Sequence, residues 1–109
     1  MAISYKVLGQ SNPAANTPVS LYTVPLATNT IISTVTICNL SNTAGSFKLA
    51  IQPGGVSILN SHYIMFNTPV PGNDTISLTL GMTLGALDIL SCNSNTSTIS
   101  FSAFGSEIS

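Results

Sequence analysis

Alternation of apolar and polar positions runs through most of this chain and is clearest from Thr30 to Asn39. In TIISTVTICN, Ile31, Ser33, Val35 and Ile37 share one face, and Ile32, Thr34, Thr36 and Cys38 share the other. The β-branched content predicts a strand inside a sheet, with Ile31, Val35 and Ile37 turned to the core. The same period recurs before and after it. Ser4 to Gly9 sets Tyr5 and Val7 against Lys6 and Leu8, and Val19 to Val24 sets Val19, Leu21 and Thr23 against Ser20, Tyr22 and Val24. Between them SNPAANTP, with Pro13 and Pro18, is turn chemistry.

Downstream, Phe47, Leu49 and Ile51 alternate with Lys48, Ala50 and Gln52 until Pro53-Gly54-Gly55 stops the strand. Val56 to Asn60 reads as a short apolar bridge to a strand over His62 to Thr68. That strand is bulky on both parities, with Tyr63 and Met65 on one side and Ile64 and Phe66 on the other, so both of its faces need cover. A loop of the same chain or another subunit could supply it. Pro69 to Asp74 is the strongest turn and launches Ile76, Leu78 and Leu80 against Thr75, Ser77 and Thr79. Met82 to Gly85 is a link, Leu87 to Cys92 a strand, and Thr98 to Phe104 the last strand, with Ile99, Phe101 and Ala103 inward. Phe104 is read as breaking that parity, so a bulge or an exposed aromatic is expected there. About eight short strands at this spacing predict an all-β, antiparallel, two-sheet β-sandwich, jelly-roll or immunoglobulin-like, as a single domain over residues 1–109.

Composition narrows the function. Only 5% of the 109 residues are charged, against about 25% in an ordinary soluble domain. The five are Lys6, Lys48, Asp74, Asp88 and Glu107, and the net charge is −1. No basic stripe exists to displace counterions from phosphates, which argues against nucleic acid as a partner. The same scarcity argues against an anionic lipid surface, and no apolar run reaches the roughly 20 residues of a membrane span. Ser, Thr and Asn supply 39 of the 109 residues, so the surface is wetted by neutral groups. Such a surface suits packed assemblies, in which every desolvated charge needs a partner. The opening MAISYKVLGQ lacks the pattern of a secretory signal, so synthesis in a cytosol is expected. In that compartment Cys38 and Cys92 read as small hydrophobes sooner than as a bridge.

Candidate chemistry is thin. His62 is the one histidine, without the ligand spacing of a zinc site, and reads as a structural or surface residue. Asp74 and Asp88 lie beside turns, where a capping carboxylate is the common role. No nucleophile setting and no phosphate loop occurs. We therefore expect no catalytic residue, no metal site and no cofactor, and a chain that is not an enzyme.

Several phrases together carry a resemblance: YKVLGQ, LYTVP at Leu21 to Pro25, ICN at Ile37 to Asn39, HYI at His62 to Ile64, NDTISLTLG at Asn73 to Gly81, and the ending FSAFGSEIS. They resemble small virion-associated β-sandwich proteins of tailed bacteriophages, in particular of cyanophages, and related modules of phage tail and fibre proteins. The resemblance spans essentially the whole chain and rests on structural signatures. It implies a multi-copy virion structural protein. One form is a capsid decoration or cement protein on the capsid exterior, self-associating as a homotrimer and bound to the major capsid protein. The other is a subunit of a tail fibre, baseplate or other appendage, with receptor or glycan binding as a further possibility. Interface anchors are then expected at Tyr63, Met65 and Phe66, with Tyr5, Tyr22 and Phe104 as weaker ones.

Overall fold

A computed structural model describes residues 2–109. Nine strands run through them: β1 (Ile3–Ser11), β2 (Val19–Thr23), β3 (Asn29–Asn39), β4 (Gly45–Gln52), β5 (Tyr63–Val70), β6 (Thr75–Leu78), β7 (Met82–Leu84), β8 (Ile89–Ser94) and β9 (Ile99–Ile108). Two short 3-10 turns, Pro53–Gly55 and Asn60–His62, lie in the β4–β5 connection. β1 pairs with β9, β2 with β8, β3 with β6 and β7, and β4 with β5, every pair antiparallel. With β6 and β7 taken as one interrupted strand, these pairs are the rungs of a single long hairpin. Rolling that hairpin up adds the β3–β9 and β4–β8 pairs. The result is one sheet in the order β1-β9-β3-β6, with β7 also on β3, and a second in the order β2-β8-β4-β5. The expected all-β sandwich is present, and its connectivity is that of a jelly roll.

β3 lies between β9 and the β6/β7 pair, as its composition predicts, but its face assignment changes part-way. Ile31 is 38% exposed and Ile32 fully buried, whereas Val35 and Ile37 point inward as expected. The cause is a bulge: the β3–β9 register passes from Ile32↔Gly105 to Thr34↔Phe104, leaving Ser33 as an extra residue. Ser33 Oγ donates to the Phe104 carbonyl at 3.1 Å, which occupies the hydroxyl at the irregularity. At this point the two backbones approach so closely that a Cβ on Gly105 would sit 2.0 Å from the Ile31 carbonyl oxygen. β1 has a matching irregularity at Leu8, between Val7↔Phe104 and Gly9↔Ala103. The bulges therefore flank Phe104. Its own strand keeps parity, with Ile99, Phe101 and Ala103 inward and Phe104 outward.

The core fills the space between the sheets with Ile32, Val35, Ile37, Ile99 and Phe101 from one side and Phe47, Leu49 and Leu90 from the other. Phe47 and Phe101 meet edge to face, with ring centroids 6.0 Å apart. Leu80, expected to continue the inward row of β6, is exposed. The chain leaves the sheet after Leu78, turns through Gly81 at φ 60°, and re-enters as β7, a strand where only a link was expected. At the end of β3 the buried Asn39 spends its whole amide on the fold. Its Nδ2 donates to the carbonyls of Thr43 (2.9 Å) and Val70 (3.3 Å), and its Oδ1 accepts from the Ser41 amide (3.0 Å) and the Thr98 hydroxyl (3.3 Å).

Candidate functional site

The polar and titratable side chains serve the fold. His62 Nδ1 accepts from the Leu59 amide at 3.0 Å and closes the Asn60–His62 turn. Asp88 accepts from the Gly54 and Gly85 amides at 2.7 and 2.8 Å, tying two loops together, and Asp74 accepts from the Thr75 amide at 2.8 Å. Cys92 lies in the core, where burial pushes its thiol up to about 12, and Cys38 is half-buried on the outer face of β3; both are free thiols. Among the described residues no three His, Cys, Asp or Glu side chains converge on a point, and no helix is long and apolar enough to cross a membrane.

One charged network is built into the end of the sandwich. Lys6 Nζ lies 2.6 Å from Glu107 Oε1, and the Tyr22 hydroxyl donates to Glu107 Oε2 at 2.5 Å. Thr30 Oγ1 completes it, 2.8 Å from the same hydroxyl. The hydrogen bond from Lys6, and after it the one from Tyr22, hold the Glu107 carboxyl below the ordinary glutamate range. Burial, reinforced by Glu107, pushes Tyr22 up to about 12. Tyr22 is thus a core residue, and the anchor role expected of it does not apply. Its ring is buried and its hydroxyl is committed.

The remaining candidates divide between two surfaces. On β5, the edge strand of the second sheet, Met65 turns inward and packs on the core, so it offers no protruding anchor. Phe66 points out at 58% exposure, beside an exposed Ile64. Nearer the β4–β5 connection the same face is covered by the chain's own loops: Ala50, opposite Tyr63, is 2% exposed, and Ile58 and Pro18 line a small hollow there with Tyr63 and Lys48. Half-buried Tyr63 meets Phe66 at right angles (centroids 5.0 Å, 82°), and Lys48 Nζ sits 4.7 Å from the Phe66 centroid. The two rings and Asn60 shape an open, shallow hollow.

The second surface is the outer face of the first sheet. Tyr5, Ser106 and Ile31 stand opposite one another across β1, β9 and β3, as do Val7, Phe104 and Thr34. Paired residues share a face, so Tyr5, Val7, Phe104 and Ile31 form one apolar strip, with Tyr5 82% exposed. A broad hollow among Tyr5, Ile31, Ser33 and Phe104 marks its centre. Sequence reading found Tyr5 and Phe104 but placed Ile31 on the wrong side. Val7 carried the right signal, since its parity matches Tyr5.

A smaller polar cavity of about 30 Å³ lies among Asn16, Ser46, Lys48, Asn67, Asn93 and Asn95. The buried Asn93 Oδ1 has no hydrogen-bond partner among the described residues, and the cavity has room for a water molecule that would supply one. No protein-family model matches this chain, and no curated protein is detectably similar to it.

Proposed function

We propose that this protein is a non-enzymatic structural subunit of a virus particle, and in its most concrete form a decoration protein on the exterior of a tailed-phage capsid. The observation that carries the reading is a nearly uncharged jelly roll with an apolar strip on one outer sheet face. Its five charged side chains are largely spent within the fold: Lys6 with Glu107, Asp88 and Asp74 on turn amides, and Lys48 over Phe66. A face of this kind loses little on desolvation and gains from each apolar contact, which suits permanent burial against a shell. Jelly rolls recur in viral capsid and lectin domains, an analogy of fold that supports the reading. The partner is then the major capsid protein, and stabilisation comes by mass action, because the subunit binds the assembled shell and not its dissociated parts.

The right-angled Tyr63 and Phe66 rings beside Asn60 favour a second reading, a tail-appendage subunit that binds a receptor glycan. Copy number in purified particles separates the two. Quantitative mass spectrometry should find on the order of hundreds of copies for a decoration protein and about six or twelve for a tail component. Absence from purified particles refutes both.

A further inference from the structure

β1 is the edge of its sheet, and among the described residues no strand pairs with its other side. Ala2 and Ser109 exchange both backbone hydrogen bonds, at 2.8 and 2.9 Å, so Ala2 directs its N–H and C=O at β9. These groups alternate along a strand. The N–H and C=O of Ile3, Tyr5 and Val7 therefore point away from the sheet, along an open edge. Edge strands ordinarily carry a safeguard such as a lysine, a proline, a short length or a bulge. β1 is nine residues long and has no proline, and its bulge lies beyond Val7. Its lysine, Lys6, is drawn into the ion pair with Glu107.

We infer that this edge is the contact for a second copy of the same chain, joined by two-fold antiparallel pairing of β1 with β1 in a register centred on Tyr5. In that register Tyr5 faces Tyr5 of the second copy, Ile3 faces Val7, and Lys6 faces Ser4. The six free main-chain groups of each copy meet six of the other. The exposed apolar row of each copy runs on into the next. Centring on Lys6 sets two lysines directly opposite, and centring on Val7 runs the ladder into the Leu8 bulge. Only the Tyr5 register matches charge, hydrophobicity and main-chain pattern together. The two apolar strips then lie side by side on one face of a doubled sheet. The inference is independent of where the particle carries the subunit, so a negative copy-number result leaves it standing.

Sedimentation equilibrium of the full chain from about 10 µM to about 1 mM should show a monomer–dimer equilibrium. Tyr5→Pro removes an edge N–H that the intrachain ladder does not use, and Tyr5→Lys restores a protruding charge. Each should weaken dimerisation at least about tenfold while circular dichroism and Tm stay near wild type. In a Cys38→Ser background, Tyr5→Cys should cross-link to itself on mild oxidation, since opposed Cα atoms about 5.5 Å apart lie within disulfide reach. Ile3→Cys and Val7→Cys should cross-link when mixed and only weakly alone. A wild-type chain that is monomeric at the highest concentration, or trimeric, overturns the inference. So does a Tyr5→Cys yield no higher than that of Leu26→Cys, an exposed position on the loop between β2 and β3.

Discussion

Replacing Asn39 by leucine, a side chain of similar size, tests whether this residue pins the sandwich at the end of β3. In the folded chain its amide joins four groups: the Thr43 and Val70 carbonyls, the Ser41 amide and the Thr98 hydroxyl. These belong to the β3–β4 turn, the end of β5 and the turn that leads into β9. The side chain is 2% exposed, so water cannot replace it without opening the fold. A net hydrogen bond is worth about 1 kcal/mol, and the groups left behind add a desolvation penalty where they are buried. The two shorter bonds and the buried Val70 carbonyl set the expected loss at about 3 kcal/mol, reduced somewhat by the gain in apolar burial. Against a total of about 5–15 kcal/mol that is a large fraction.

Urea unfolding followed by circular dichroism should show a midpoint lowered in proportion, with an unchanged m-value, and Tm should fall by about 10 °C or more. Asn39→Asp should be at least as harmful, because its second carboxylate oxygen meets the two carbonyls to which Nδ2 now donates. A loss below about 1 kcal/mol for Asn39→Leu would refute the reasoning and mean that the turn closes through its backbone alone.

Two further outcomes follow from the fold. Gly105→Ala places a Cβ against the Ile31 carbonyl, a backbone atom that cannot swing aside, and should cost about 3 kcal/mol or more in urea unfolding, whereas Gly54→Ala, with open space around it, should cost only the roughly 1–2 kcal/mol of its left-handed backbone. The Glu107 carboxyl titrates lower in the folded chain than the ordinary value of about 4.3, so its stabilisation is present above that pH and lost as pH falls through the depressed folded value; Glu107→Gln should flatten the acid limb of stability against pH.

The strands were legible because burial on one face leaves a mark of period two. Phe47 with Leu49, and Ile99 with Phe101 and Ala103, all point where that mark places them. What alternation cannot carry is a change of register made by a neighbour. Nothing in TIISTVTICN announces that Ser33 is the residue left over, because the extra position exists only in relation to β9. One slipped residue then moves Ile31 from core to surface. Leu80 fails for a related reason, since its strand ends where Gly81 turns, although the alternation runs on through Leu80. The choice of jelly roll over immunoglobulin-like order was also out of reach, because pairings such as β1 with β9 join residues almost a chain length apart. At the candidate surfaces, aromatic content located Tyr5, Phe66 and Phe104, but could not tell Tyr22, whose buried ring turns its hydroxyl to the Glu107 carboxylate, from a ring left in solvent.

The ion pair at the end of the sandwich links the fold to the assembly. A chain with five charged residues places two of them in one network, and that network removes the lysine that would otherwise guard the open edge of β1. Such a pair, with the lysine side chain half exposed, gives little net stability, since solvent screens most of the attraction. Its larger effect is positional. Strand alternation puts Lys6 on the face away from the apolar strip and Glu107 holds its ammonium there, which leaves Ile3, Tyr5 and Val7 as a continuous uncharged row beside unpaired main-chain groups. The same bulge that turns Ile31 outward extends this row onto β3, and the bulge is possible because Gly105 lets the two backbones close. Core geometry and the exposed surface are therefore set by the same few residues. A substitution at Gly105 or Glu107 should alter self-association as well as stability, whereas one at Phe47 or Leu49, on the far sheet, should alter stability alone.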